Sequence, residues 1–97
     1  MASTIIVSGR IVVQPGRRDE FLAASREAMQ AARGAPGCRA FVVAGDPLEA
    51  DTVNVYEQWD DETSLLKFRG EGPSSDMRAL IASADVKRHQ VSSSGPP

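Results

Sequence analysis

The residues of this chain that could do chemistry are concentrated in one stretch, Thr52 to Trp59. It holds the single tryptophan and the single tyrosine of a protein in which 5% of residues are aromatic. Apolar and polar residues alternate along it, which is typical of a β-strand with two different faces. The alternation places these residues on two opposite faces: Val53, Val55, Glu57 and Trp59 on one, and Asn54, Tyr56 and Gln58 on the other.

Glu57 is the candidate general base of this stretch. A carboxylate on the apolar face of a sheet is shielded from water, which raises its pKa and makes it a stronger base. The alternative is a structural ion pair between Glu57 and Arg10, Arg39 or Arg69. Trp59 is either a core residue or the wall of a substrate pocket, with its indole N–H as a hydrogen-bond donor.

Four further polar residues are candidates for the same chemistry. Asn54 is a candidate polarising group, but together with Tyr56 it is also a candidate for an interface on the opposite face. His89 is either an acid–base catalyst or an exposed histidine near the end of the last strand. Arg69 either holds an anionic substrate or is a solvated helix-end residue. The predicted substrate-binding residues are Phe41, Val55, Tyr56, Phe68 and Arg69.

Several classes of site are not expected from this sequence. A conventional zinc or iron site needs about three protein ligands, usually including histidine, and His89 is the only histidine. The glycine-containing segment 70–73 follows a helix and has a proline where a phosphate-binding helix needs free amides. We therefore predict no metal and no cofactor. A net charge of −2 and a pI near 5.3 also argue against nucleic-acid binding.

The chain is expected to form one domain, residues 1–91, followed by a polar tail, residues 92–97. Ninety-seven residues are too few for two hydrophobic cores. The longest apolar runs are far shorter than the roughly 20 residues that span a bilayer. The amino terminus enters a strand pattern without a basic leader, and Cys38 is the only cysteine, so we predict a cytoplasmic protein.

Hydrophobic periodicity predicts four strands and three helices. The predicted strands are Thr4–Val13, Cys38–Ala44, Thr52–Trp59 and Val86–Val91. The predicted helices are Arg17–Arg33, one that starts near Glu62 and buries Leu65, Leu66 and Phe68, and a short one that is capped by Ser74 or Ser75 and carries Met77, Leu80 and Ile81. This order is the βαββαβ pattern of the ferredoxin-like α+β fold, a four-stranded antiparallel sheet with its helices on one face.

The face of the sheet away from the helices also carries apolar residues, among them Ile6, Val12, Val42 and Tyr56. This is more apolar area than a solvent-facing sheet surface usually carries. We therefore predict a homodimer in which two such sheets pack face to face. The alternative is a monomer whose second face is half polar.

An ordered set of short motifs resembles the antibiotic biosynthesis monooxygenase family. The motifs are Gly9, the run from Pro15 to Leu22, Pro36–Cys38 with Phe41, and Tyr56–Asp60. The resemblance covers nearly all of the chain apart from the tail. It implies a dimeric ferredoxin-like α+β barrel that oxidises a quinol, anthrone or polyketide-like aromatic with dioxygen and without a cofactor. The family also includes haem-degrading enzymes.

Two departures limit what the resemblance implies. The polyketide-oxidising members place an asparagine on the tryptophan's face, where this chain has Val55, and Asn54 is one residue away. The helix after Trp59 lacks the histidine that haem-degrading members use, so haem degradation is not expected. Two other classes stay open: a non-catalytic dimeric module that binds small molecules, and an isomerase or cyclase of the same barrel class.

Overall fold

The computed structural model describes residues 3–70, 72 and 74–97. Seven elements follow one another along the chain: β1 (Ile5–Val13), α1 (Arg18–Arg33), β2 (Cys38–Gly45), β3 (Thr52–Trp59), α2 (Glu62–Arg69), α3 (Ser75–Ala79) and β4 (Ile81–Gln90). The four strands form one antiparallel sheet in the order β2-β3-β1-β4. The predicted ferredoxin-like α+β fold is confirmed.

Polar side chains at the helix starts explain where α2 and α3 begin. The Asp61 carboxylate accepts a hydrogen bond from the backbone N–H of Ser64 at 2.7 Å, and the Ser74 hydroxyl accepts one from Met77 at 3.3 Å. Each bond satisfies an amide that has no partner within its helix. Because Asp61 caps α2, the helix begins only three residues after Trp59. This short connection holds α2 over the end of β3.

The start of β4 differs from the sequence prediction. The strand begins at Ile81 rather than Val86, and the short helix ends at Ala79, before the Leu80 and Ile81 that it was expected to carry. The added residues are mostly small or polar and lack apolar alternation, but they pair with β1 up to Val13. Backbone pairing along an edge strand therefore outweighed the local pattern. Gly9 permits this close approach, because a side chain there would clash with the carbonyl of Asp85.

The helices cover one face of the sheet, and two groups of buried side chains lie between the layers. We call the first the Trp59 cluster: Ile5, Val7, Ala32, Phe41, Trp59 and Leu65. We call the second the Phe21 cluster: Val13, Phe21, Val53 and Leu80. The expectation that α2 buries Leu66 is wrong, because Leu66 is 50% exposed while Leu65 is fully buried. In the part of the chain that the structure describes, no helix is long and apolar enough to cross a membrane.

Candidate functional site

A cavity of about 200 Å³, here called the inner cavity, lies between the helices and the sheet. Val55 and Glu57 of β3 form part of its floor, and Ser25 of α1 and Met77 of α3 contribute to its other walls. Phe21 and Phe41, one from each buried cluster, also line it. The inner cavity therefore lies where the two clusters meet without filling the space between the layers.

A second cavity of about 310 Å³, here called the outer cavity, adjoins the first. Both are lined by Ala28, Phe41 and Glu57, and the outer one is completed by Phe68, Arg69 and Gly72. Their lining is mostly apolar, with a few polar groups, which is the usual character of a small-molecule site. Glu57 is the titratable group that both cavities share.

The carboxylate of Glu57 is buried and held by its neighbour on the same strand face. Glu57 is 7% exposed, and the indole Nε1–H of Trp59 donates a hydrogen bond to its Oε1 at 3.0 Å. Residues two apart on a strand point to the same side, so the chain places these two groups together without any loop. Trp59 itself is fully buried, which fixes the direction of its N–H.

Burial raises the pKa of Glu57 above its ordinary value. The hydrogen bond from Trp59 and the positive charge of Arg69, whose Nη2 lies 3.8 Å from Oε1, oppose the rise without cancelling it. Desolvation disfavours the charged form, whereas a donated hydrogen bond and a nearby cation favour it. The result is a carboxylate that is more basic than an exposed glutamate and that faces both cavities.

Three aromatic rings pack together around this carboxylate. The ring of Phe68 lies 5.4 Å from that of Trp59 and 5.7 Å from that of Phe41, the latter in an edge-on arrangement. Such ring contacts are favourable beyond the apolar area they bury. Phe41 and Phe68 line the outer cavity, and Trp59 packs behind Phe68, so the cavity has a rigid apolar wall suited to a flat ligand.

The structure brings together six of the predicted site residues and leaves three apart. Those at the two cavities or in their aromatic wall are Phe41, Val55, Glu57, Trp59, Phe68 and Arg69. Asn54 and Tyr56 lie on the other face of β3. There the Asn54 amide donates to Asp46 at 2.8 Å, and the Tyr56 hydroxyl donates to Gln58 at 3.1 Å. His89 pairs with Ile6 across the sheet and is exposed.

Sequence reasoning did not identify Ser25, Ala28 and Met77 as lining residues of the site. Ser25 is 4% exposed, and its hydroxyl donates to the carbonyl of Phe21 at 2.8 Å. The sequence did contain a signal for Ser25: it lies among the apolar residues on one side of α1, and a serine at such a position is buried with them. Within residues 3–70, 72 and 74–97, no three histidine, cysteine, aspartate or glutamate side chains are grouped closely enough to hold a metal ion.

Comparison with known proteins places the chain in a family. The model of the antibiotic biosynthesis monooxygenase family matches residues 4–80, which includes α1, β3 and α2. This chain belongs to that family. The resemblance first seen in the short motifs is thereby confirmed.

Solved structures show the same fold over almost the whole chain. A candidate antibiotic biosynthesis monooxygenase of Chloroflexus aurantiacus J-10-fl is 27% identical, with a TM-score of 0.76 over 97% of this chain and 98% of that one. A protein of Shewanella oneidensis is 16% identical, with a TM-score of 0.83 over 94% and 93% of the two chains. An uncharacterised protein of Synechocystis is 31% identical over 61 residues, which are 63% of this chain and 42% of that relative. The match therefore spans less than half the length of this curated relative.

Proposed function

We propose that this chain is a cofactor-independent monooxygenase that oxidises an electron-rich small aromatic, such as a quinol, an anthrone or a polyketide-like phenol, with dioxygen. The observation that carries the proposal is the buried Glu57 carboxylate, hydrogen-bonded by Trp59 at the junction of two cavities. Membership of the family supports the general class of reaction. The substrate class is the one that the family resemblance implies, and the apolar cavities beside a buried base are compatible with it.

The protein's task in such a reaction is to remove a proton from a bound substrate. Dioxygen reacts slowly with neutral closed-shell molecules, but an enolate or phenolate can transfer one electron to it. The Glu57 carboxylate takes the proton, because its raised pKa makes it a stronger base than an exposed glutamate. Burial keeps water away from the anion that forms, so that the charge is balanced by fixed protein groups.

For an anthrone, the remaining steps are electron transfer to dioxygen, combination of the two radicals and loss of water. The enolate passes one electron to dioxygen, and the substrate radical and superoxide combine to form a peroxide. The peroxide takes back the proton held by Glu57 and becomes a hydroperoxide. Loss of the second hydrogen from the same carbon, together with the terminal hydroxide, breaks the O–O bond and releases water. One oxygen atom remains as a ketone and the other leaves in water.

Trp59 and the aromatic wall position the reactants. The N–H of Trp59 fixes one oxygen of Glu57, which leaves the other oxygen to accept the substrate proton. Phe41 and Phe68 offer their rings to a flat aromatic in the outer cavity. Holding the reacting groups in one geometry can lower a barrier by several kcal/mol, so these apolar residues contribute to rate as well as to binding.

We further propose that the protein works as a homodimer through the uncovered face of its sheet. Val12, Val42 and Tyr56 on that face are 38%, 41% and 38% exposed. Packing two copies face to face would remove this apolar area from water. Sedimentation equilibrium should give about twice the chain mass, and a mass of 10.4 kDa at micromolar concentration would refute the dimer.

Oxygen consumption by metal-free protein tests the proposed reaction. We expect uptake with at least one member of a panel of quinols and anthrones, above the rate of the same mixture without protein. Trp59→Phe removes the indole donor to Glu57 together with part of a buried ring, and we expect loss of the donor to slow uptake roughly tenfold, the size of one hydrogen bond to a charged group. Absence of uptake across the panel would overturn the proposed function.

A further inference from the structure

We propose that Arg69 binds an anionic group on the substrate, so that the ligands of this site are aromatic acids rather than neutral aromatics. The proposal rests on the proposed function only in taking the ligand to be the substrate. It concerns the charge of that ligand, which neither the fold nor the family determines. Position, donor geometry and the surrounding charges each support it.

The position of Arg69 places a positive charge between the buried carboxylate and solvent. Arg69 is the last residue of α2 and lines the outer cavity. Its side chain is 41% exposed, whereas that of Glu57 is 10% exposed. A ligand in the outer cavity that contacts Glu57 therefore also lies close to the guanidinium group.

The geometry of the contact with Glu57 leaves the donors of Arg69 for another acceptor. The closest approach of the two groups is 3.8 Å, which is longer than a hydrogen bond, so the contact uses none of the guanidinium N–H groups. A guanidinium presents five N–H donors in a planar fork that matches the two oxygens of a carboxylate. Arg69 can thus hold a carboxylate while its charge still acts on Glu57.

Three other cationic residues near Arg69 in the described chain make contacts outside the outer cavity. Lys67 lies on the same helix but lines a different cavity, with Ala35 and Asp61. Arg33 donates to the carbonyl of Phe41 at 3.0 Å, and Arg88 pairs with Glu62 at 2.9 Å. Of these residues, Arg69 is the one that lines the outer cavity.

A cation beside Glu57 would allow an acidic ligand to bind in the outer cavity. An acidic ligand that approaches the Glu57 carboxylate would be repelled, since like charges at close range in a poorly solvated site are costly. A cation between the two anions offsets that repulsion. A neutral aromatic would need no such charge, because the rings of Phe41 and Phe68 already provide its contacts.

A matched pair of ligands that does not undergo oxidation tests this proposal separately from catalysis. Binding of 2-naphthoate and of its methyl ester, neither of which can form a phenolate or an enolate, would be measured by isothermal titration calorimetry with wild-type protein and with Arg69→Gln. We expect the acid to bind the wild type about tenfold more tightly than the ester, the size of one charge-assisted hydrogen-bonded contact. We expect Arg69→Gln to abolish that preference by weakening the acid alone.

Lys67→Gln is the matched control, since it removes the same charge from the same helix on the side of the other cavity. It should retain the tenfold preference. Equal binding of acid and ester by the wild type would overturn the proposal, as would an equal loss of both in Arg69→Gln. Because these ligands are not oxidised, the preference can hold while oxygen uptake fails, or fail while uptake holds, so the two proposals are tested independently.

Discussion

The two faces of β3 carry similar residue types in very different environments. On the helix side, Glu57 and Trp59 are 7% and 0% exposed, and the carboxylate faces two cavities. On the other side, Asn54 is hydrogen-bonded to Asp46, and Tyr56 to Gln58. Each face contains an aromatic ring and a hydrogen-bonded polar pair. What separates them is burial against the helices.

The pKa values of the carboxylates on the two sides are shifted in opposite directions, each by a different cause. Desolvation raises the pKa of Glu57, whereas the pKa of Asp46 is lowered by hydrogen bonds from the Asn54 amide and from the backbone N–H groups of Glu49 and Leu48. A carboxylate that accepts several hydrogen bonds in contact with water is stabilised as an anion. The helix-side carboxylate is therefore suited to take up a proton, and the other is suited to anchor a loop.

Truncating the aromatic residue on each face should show the largest difference. Trp59→Ala is expected to lower the free energy of unfolding by about 3–5 kcal/mol, because it leaves a cavity in the buried Trp59 cluster. Tyr56→Ala, which shortens a ring that is 38% exposed in the single chain and that only the proposed dimer covers, should cost less, about 1–2 kcal/mol. Urea denaturation at one fixed protein concentration measures both, and equal losses would contradict the contrast.

The pH dependence of stability should have opposite signs at the two carboxylates. The folded state raises the pKa of Glu57 above 4.5, so its contribution to stability is present below that value and is lost as pH rises through the folded pKa. Glu57→Gln should therefore gain stability relative to the wild type as pH rises above 4.5 and through the folded pKa.

Asp46 provides the contrasting case. Its folded pKa is lowered from 3.8, so its contribution is present above that value and is lost as pH falls through the folded pKa. Asp46→Asn should be less stable than the wild type near neutral pH and approach it in acid. Thermal melting across the pH range measures both differences, and slopes of the same sign would contradict the assignment of the two environments.

The smallest effects are expected from the candidate catalytic residues that lie away from the cavities. Asn54→Ala and His89→Ala should leave the rate of oxygen uptake within about twofold of the wild type, since surface changes outside the site have small effects. Asn54→Ala should still disturb the loop that Asp46 anchors. A loss of more than tenfold in either variant would bring the uncovered face into the mechanism.

Strand alternation made the pairing of Glu57 with Trp59, the central feature of the site, predictable from the sequence. Because side chains two apart share a face, counting along 52–59 was enough to place Glu57 beside Trp59 on the apolar side. The predicted start of α2 near Glu62 likewise agrees with helix-capping rules, since Asp61 is the residue that caps the helix in the structure. These are short-range consequences of backbone geometry, which a sequence records directly.

Other features depended on long-range packing and were not predictable. Three arginines were candidates for the partner of Glu57, and only the position of α2 over the sheet selects Arg69. The inner cavity exists because the two buried clusters do not fill the space between them, a volume effect that periodicity does not encode. The start of β4 was missed because pairing with β1 overrides local propensity.

The central claim is that Glu57 is the general base of this site, and a single substitution tests it most directly. Glu57→Gln keeps an oxygen to accept the Trp59 N–H but cannot take a proton at neutral pH. With a substrate that the wild type oxidises, we predict that oxygen uptake falls about 100-fold or more while binding is retained. A variant that oxidises the same substrate within twofold of the wild-type rate would contradict the account.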